Sequence, residues 1–287
     1  MRVFVPIIFS LLTSTAMAID LAPLWDFSKP ELSEQRFRAA LQDASGDERL
    51  ILQTQIARTK GLRKDFESAR EILKNIEPKI AEAGPEARTR YFLELGRSYA
   101  SASHDARSLN NAEKEQARKA YSAALDTAKA GRLDSLAIDA IHMFAFIDTA
   151  PSDQLKWGKA ALAVVVASDQ LTAKRWEASV RNNIGYALHQ LGRYEEALAE
   201  FSQAVSIRER GKNREATRTA YWMVAWTLRA LTRTDEALEI QLRLEREADD
   251  AKQPDPYVFE ELELLYSGKG NKERAEYYGA RKKALSK

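Results

Sequence analysis

The chain has 287 residues, 45% of them hydrophobic, with no cysteine, twelve glycines and eight prolines, which is the profile of a helix-rich protein without disulfides or thiol chemistry. Forty-four basic and forty-two acidic residues are interleaved for a net charge of +2, so there is neither a basic block for nucleic acid nor an acidic tail. Residues 1–18 stand apart from the rest of the chain. Met1-Arg2 give a positive start, residues 3–12 an apolar run, and Ala16-Met17-Ala18 a small-residue cleavage signal, so a secretory signal peptide is expected, with Ile19 as the first mature residue. An apolar run of this length falls short of the roughly twenty residues that span a bilayer, and no later segment is a candidate span. The expected location is therefore periplasmic if the source is Gram-negative, and otherwise secreted.

Residues 19–46 read as a lead followed by a capping helix. Leu24, Trp25 and Phe27 make an apolar lead that is expected to pack over the first helices. Ser28-Lys29-Pro30-Glu31 offers an N-cap serine with an acid three residues on, which predicts a helix over 29–44. From Asp47 the pattern is paired, and residues 47–287 form one continuous domain with 19–46. Ile56-Ala57 is answered by Ala69 and Leu73, in a helix expected to end near Pro78. After Gly84-Pro85, Phe92, Leu95-Gly96 and Tyr99 are answered by Ala117, Tyr121 and Ala124 across a long polar connection at 101–111. That connection reads as a slack insertion or as a functional loop.

A helix is predicted over 134–148, followed by one over 155–167 with Gly158 and Leu162 at the contact. Ile184-Gly185 and Leu188 are then answered by Ala197, Phe201 and Ala204, with Leu191-Gly192-Arg193 between the two helices. Tyr221, Val224-Ala225 and Leu228 are answered by Ala237. Phe259, Leu262, Tyr266, Gly270 and Ala275 close the chain after Asp255-Pro256, and Arg281-Lys282-Lys283 suits a helix C-terminus.

The small second-helix residues Ala69, Ala117, Gly158, Ala197, Ala237 and Ala275 recur at intervals of 48, 41, 39, 40 and 38, which gives six hairpins. Small residues are needed there because two helices cross closely only where Gly or Ala leaves room. In its first-helix bulky-small pair and second-helix Ala-x-x-x-aromatic, best seen at Ile184-Gly185, Ala197 and Phe201, the chain resembles the tetratricopeptide repeat family. Its repeat is longer than that family's usual thirty-four residues, as in extended-repeat members. The resemblance implies an all-α, right-handed superhelical solenoid of about six hairpins plus a leading helix, in which first helices line a concave groove for a protein or peptide partner.

Catalytic constellations are not found. His104, His142 and His189 are not within helical reach of one another, and no phosphate loop, G-x-S-x-G or H-E-x-x-H is present. Adjacent glutamates such as Glu195-Glu196 face different ways on a helix and make no acid/base pair. No cofactor, metal or nucleic acid is expected. The groove candidates are residues offset from the seam at Ile184-Gly185-Leu188. They are Asn182, Tyr186 and His189, with Trp222, Trp226 and Arg229 one repeat later and Arg97 two repeats earlier. Trp222 and Trp226 share a helix face, and they read either as buried core or as an aromatic shelf of the kind enriched at binding hot spots. Lys-Asn carboxylate recognition is not reproduced by Asn182 with Tyr186. The expected function is a non-catalytic exported scaffold. The alternative is an all-helical cell-envelope hydrolase, or its regulatory subunit, working with a glutamate such as Glu94.

Overall fold

The computed structural model describes residues 19–105 and 109–285, all helix and connection. The expected signal peptide lies outside the described residues. The lead packs only in part as expected: Leu24 and Trp25 lie partly buried against the first core cluster, and the Trp25 indole N–H donates to Gln55 at 3.2 Å while its ring meets Phe37 edge-on, but Phe27 only stacks on Trp25 at 4.5 Å and stays exposed. Helix α1 runs Pro30–Ala40, shorter than predicted. Ser28 does not cap it, because its hydroxyl donates to Asp26 at 2.6 Å in a tight local turn, and Lys29 takes the cap position with Pro30 opening the first turn.

Six helix pairs follow: α2 (Gly46–Leu62) with α3 (Phe66–Ile80), α4 (Pro85–Arg97) with α5 (Asn111–Ala130), α6 (Asp134–Met143) with α7 (Pro151–Ala167), and, after the short α8 (Leu171–Lys174), α9 (Glu177–Gln190) with α10 (Tyr194–Glu209). The last two are α11 (Arg214–Ala230) with α12 (Thr234–Asp250) and α13 (Pro256–Gly268) with α14 (Lys272–Leu285). Two ends differ from expectation. Pro78 sits inside α3, two residues before its end, where a missing N–H disturbs only the last turn. The helix predicted over 134–148 tightens into a 3-10 turn at Phe144–Phe146.

The turn between paired helices recurs. Lys64, Gly192, Thr232 and Gly270 each take positive φ, from 59° to 74°, and the next residue's N–H bonds back to the carbonyl five positions earlier, as Arg193 does to Leu188 at 2.9 Å and Arg233 to Leu228 at 2.9 Å. One turn geometry therefore serves all of these hairpins. The third pair turns through its 3-10 segment instead. Between α4 and α5 the long connection is tied down by the His104 ring, stacked 3.7 Å from Phe66 of α3.

Packing within pairs turns on missing Cβ atoms. A Cβ at Gly96 would lie 2.4 Å from the Tyr121 ring, and one at Gly185 would lie 2.8 Å from Phe201. Tyr121 and Phe201 are fully buried, as are Ala117, Ala197 and Ala237. Gly158 departs from its expected role. Its free face lies against Ile184 of α9, in the following pair, while Ala161 and Val165 rather than Leu162 are the buried residues nearby. In the fifth pair Ala225 replaces the glycine and Gln241 the ring. Gln241 is fully buried, and neither amide atom has a partner.

Each helix packs against its neighbours in the chain and, in places, against the matching helix of the next pair. The apolar clusters hand over along the chain: Phe92 belongs to the first and second, Leu125 and Trp157 to the second and third, and Val224 to the third and fourth. The core is a seam along a helical solenoid.

Two seam substitutions have opposite expected signs. Gly185→Ala gains helix propensity but drives a methyl into a ring that has nowhere to move, for a net loss of about 1–2 kcal/mol. Gln241→Leu removes two buried unpartnered polar atoms and gains about 1–2 kcal/mol. Thermal melts of both variants check this; a stabilising Gly185→Ala would contradict the close approach.

Candidate functional site

The candidate residues lie on first helices α4, α9 and α11, and the structure brings five of the seven together. On α9 and α11 the residues Tyr186, His189, Trp222 and Trp226 form one aromatic row. The Trp226 ring lies 6.0 Å from Tyr186 and 5.8 Å from Trp222, with interplanar angles of 20° and 19°. His189 stacks directly on Trp226 at 3.3 Å and 16°. Both tryptophans are half-buried and Tyr186 is exposed, so neither reading of the pair, core or open shelf, is complete. Their rings cover one another and leave an edge to solvent.

Arg229, on the turn after Trp226, is already satisfied. Its guanidinium makes a bidentate pair with Glu261 of α13 at 2.7 and 2.8 Å. Glu261 is 3% exposed. Burial first and then the Arg229 charge push the His189 imidazole down to about 4, and its Nε2 atom is buried without a partner. His189 is thus a neutral ring at neutral pH and acts as part of the shelf, not as a proton carrier.

Arg97 and Asn182 sit elsewhere. Arg97 is a groove candidate by its repeat position. In the structure it is held between Glu94 at 2.6 Å and Asp139 of α6 at 2.5 Å, with Arg58 of α2 3.7 Å from Glu94. Burial opposes charge on Arg97, but Asp139 and Glu94 raise its pKa above the ordinary guanidinium value. Burial alone would raise Asp139 too, yet Arg97 and Arg58 keep it below the usual carboxylate range. Glu94 is 3% exposed and engaged by two guanidinium groups, so the catalytic glutamate of the alternative reading is occupied in an ion-pair network. Asn182, one turn before Tyr186, lines a separate cleft of about 460 Å³ with Ser179, Arg208 and Thr219.

Several residues of this face were missed by sequence reasoning. Tyr257 of α13, 65% exposed, extends the row: its ring stands edge-on to Trp222 at 6.4 Å, and its carbonyl accepts the Trp222 indole N–H at 3.2 Å. It sits in the first turn of α13, off the forty-residue shift. Asp139 had a signal, since it follows Arg97 by about one repeat with opposite charge, and such a spacing places the two on neighbouring first helices. Beside Tyr186 opens a cavity of about 480 Å³ lined by Phe146, Trp157, Val180, Leu109 and the polar His142 and Asn183. A second, of about 280 Å³, continues past His142 and Phe146 to the Arg58–Arg97 network. At the start of the long connection, Ser101 and Ala102 wall both cavities. Among the described residues no group of acidic and imidazole side chains is arranged to hold a metal ion, and no helix is long and apolar enough to cross a membrane.

Residues 176–245 match the tetratricopeptide repeat family. No curated protein matches the chain in sequence. Solved structures resemble its fold. A signal transduction ATPase with numerous domains and a tetratricopeptide repeat sensor, from Pyrococcus horikoshii, superposes with a TM-score of 0.69 at 14% identity over 89% of this chain, which spans only 39% of that protein. Aspartyl phosphate phosphatase F from Bacillus subtilis gives 0.56 at 16% identity, covering 93% of this chain and 79% of its own. A Rap protein complexed with competence and sporulation factor gives 0.55 at 15% identity, covering 88% and 79%. At these identities the likeness is one of fold.

The depressed His189 pKa has a stability consequence. The folded state resists protonation below the ordinary imidazole value near 6.5, so the unfolded state takes the proton first. This contribution to stability is complete above about pH 6.5 and is lost as pH falls toward about 4. Melting temperature measured across that window should fall more steeply for the wild type than for His189→Gln; parallel curves would contradict the buried neutral imidazole.

Proposed function

We propose that this chain, a tetratricopeptide-repeat protein, is an exported, non-catalytic scaffold that binds a protein or peptide segment along the face formed by its first helices. The observation that carries the reading is the aromatic row Tyr186, Trp226, Trp222 and Tyr257. It crosses three successive first helices and keeps its edges in solvent. Aromatic side chains offer large contact area at little entropy cost and are over-represented at binding hot spots. A row spanning three repeats suits an elongated segment better than a compact ligand. That the structurally similar Rap protein was solved complexed with competence and sporulation factor agrees with this use of the fold.

The non-catalytic part of the proposal rests on what the ionisable groups are engaged in. Glu94 and Asp139 are held by Arg58 and Arg97, and Glu261 by Arg229, so these buried carboxylates of the face are engaged by counter-ions. Export rests on residues 1–18, with their charged start, apolar run and small-residue cleavage signal.

In pull-downs from envelope extract of the source organism, a partner retained by the wild type should be lost by about tenfold or more from Trp222→Ala/Trp226→Ala; equal recovery by both proteins would end the assignment of this face. N-terminal sequencing of the natural protein should begin at Ile19; a chain retaining Met1 would remove the exported part of the proposal.

A further inference from the structure

Among the described residues, the lining of the cavity of about 480 Å³ beside Tyr186 has no aspartate, glutamate, lysine or arginine, in a chain of which 30% is charged. Its walls are the edges of Phe146 and Trp157, with Ala161, Val180 and Leu109. The Trp157 indole is fixed by stacking on Phe144 at 4.3 Å and by donating to Asp148 at 2.9 Å. His142, shared with the adjoining cavity, meets Phe146 edge-on at 5.5 Å. Burial lowers its pKa, and its Nδ1 faces the Asn183 amide nitrogen at 3.3 Å, a donor that an uncharged imidazole can accept from.

The surroundings repeat the pattern. In the adjoining cavity Arg58, Glu94, Arg97 and Asp139 neutralise one another, and at the His189 end of the aromatic row Arg229 is taken up by Glu261. A ligand charge seated here would lose hydration and, among the described lining residues, meet no charged partner. A cavity of this size suits ligand groups with large apolar area.

We propose that this cavity is the anchor subsite of the first-helix face, taking a bulky uncharged side chain, aromatic or branched aliphatic, from an internal segment of the bound peptide. It excludes a terminal carboxylate and acidic or basic side chains. The proposal rests on the reading of this face as a peptide-binding one, and the two can fail separately.

The test is selection of a random peptide display library on the full chain, followed by calorimetry of the enriched peptides with blocked ends. Enriched peptides should share a bulky uncharged residue, bind with affinities that change by less than about threefold between about 50 and about 500 mM salt, and weaken by about tenfold or more when Glu or Lys replaces that residue. Ala145→Phe, which fills the cavity, and Thr149→Glu, which places a charge at its exposed mouth, should each cost the same peptides about tenfold. Circular dichroism melts confirm that the variants fold. Enrichment of acidic or free-carboxylate peptides with strong salt dependence would overturn the subsite while leaving the peptide-binding reading in place. So would peptides that lose affinity for Trp226→Ala but bind both cavity variants as they bind wild type. Failure to enrich any peptide would overturn both. Binding of the uncharged apolar probe N-phenylnaphthylamine, lost in Ala145→Phe and not competed by any peptide, would overturn the peptide source in favour of a free small molecule.

Discussion

Paired helices in this protein approach so closely that no Cβ fits at Gly96 or Gly185. The ring of Tyr121 or Phe201 occupies the space where that atom would be. The rest of the architecture depends on this approach. A hairpin this thin buries one apolar face against itself and leaves the other to its neighbour, so pairs must stack and the clusters hand over from one to the next. Stacking then aligns first helices with first helices, and a side chain's place in its repeat decides whether it meets the seam or the outer face. The fifth pair shows the coupling from the other side: where the glycine becomes Ala225, the ring becomes Gln241, and the seam closes over an amide without partners.

The first-helix face is cross-linked by charge. Arg58 reaches Glu94, Arg97 reaches Asp139, and Arg229 reaches Glu261, each pair joining neighbouring first helices. Glu94, Asp139 and Glu261 are almost withdrawn from water, a situation tolerable only when a counter-ion is in place. The pairs fix one hairpin on the next and, in doing so, remove their own charges from recognition. Three arginines of the first helices are thus taken up by carboxylates of neighbouring first helices once the chain folds.

The fold was legible because the seam is written in residue size at a regular interval. Ala117, Ala197 and Ala237 are buried where the ladder put them, and among the described residues the chain forms six pairs after a leading helix. Errors fell where the local rule had a competitor. Ser28 had Asp26 within reach and served that instead of the helix end, and Gly158 had Ile184 of the next pair above it. Periodicity reports that a residue is small, and says nothing of which neighbour needs it to be.

The site divides the same way. Tyr186, His189, Trp222 and Trp226 were brought together by helical spacing and the forty-residue shift, both properties of one dimension that survive folding unchanged. The partners of Arg97 and Arg229, the extension of the row to Tyr257, and the cavity between Phe146, Trp157 and Val180 came only with the tertiary structure. Each depends on the angle and offset between separate hairpins, quantities set by the summed packing of the seam and by connections of unequal length. The order of residues determined a stack of helix pairs and the face that could bind. How those pairs lean on one another decided which of its charges are paired and where the cavity between Phe146, Trp157 and Val180 opens.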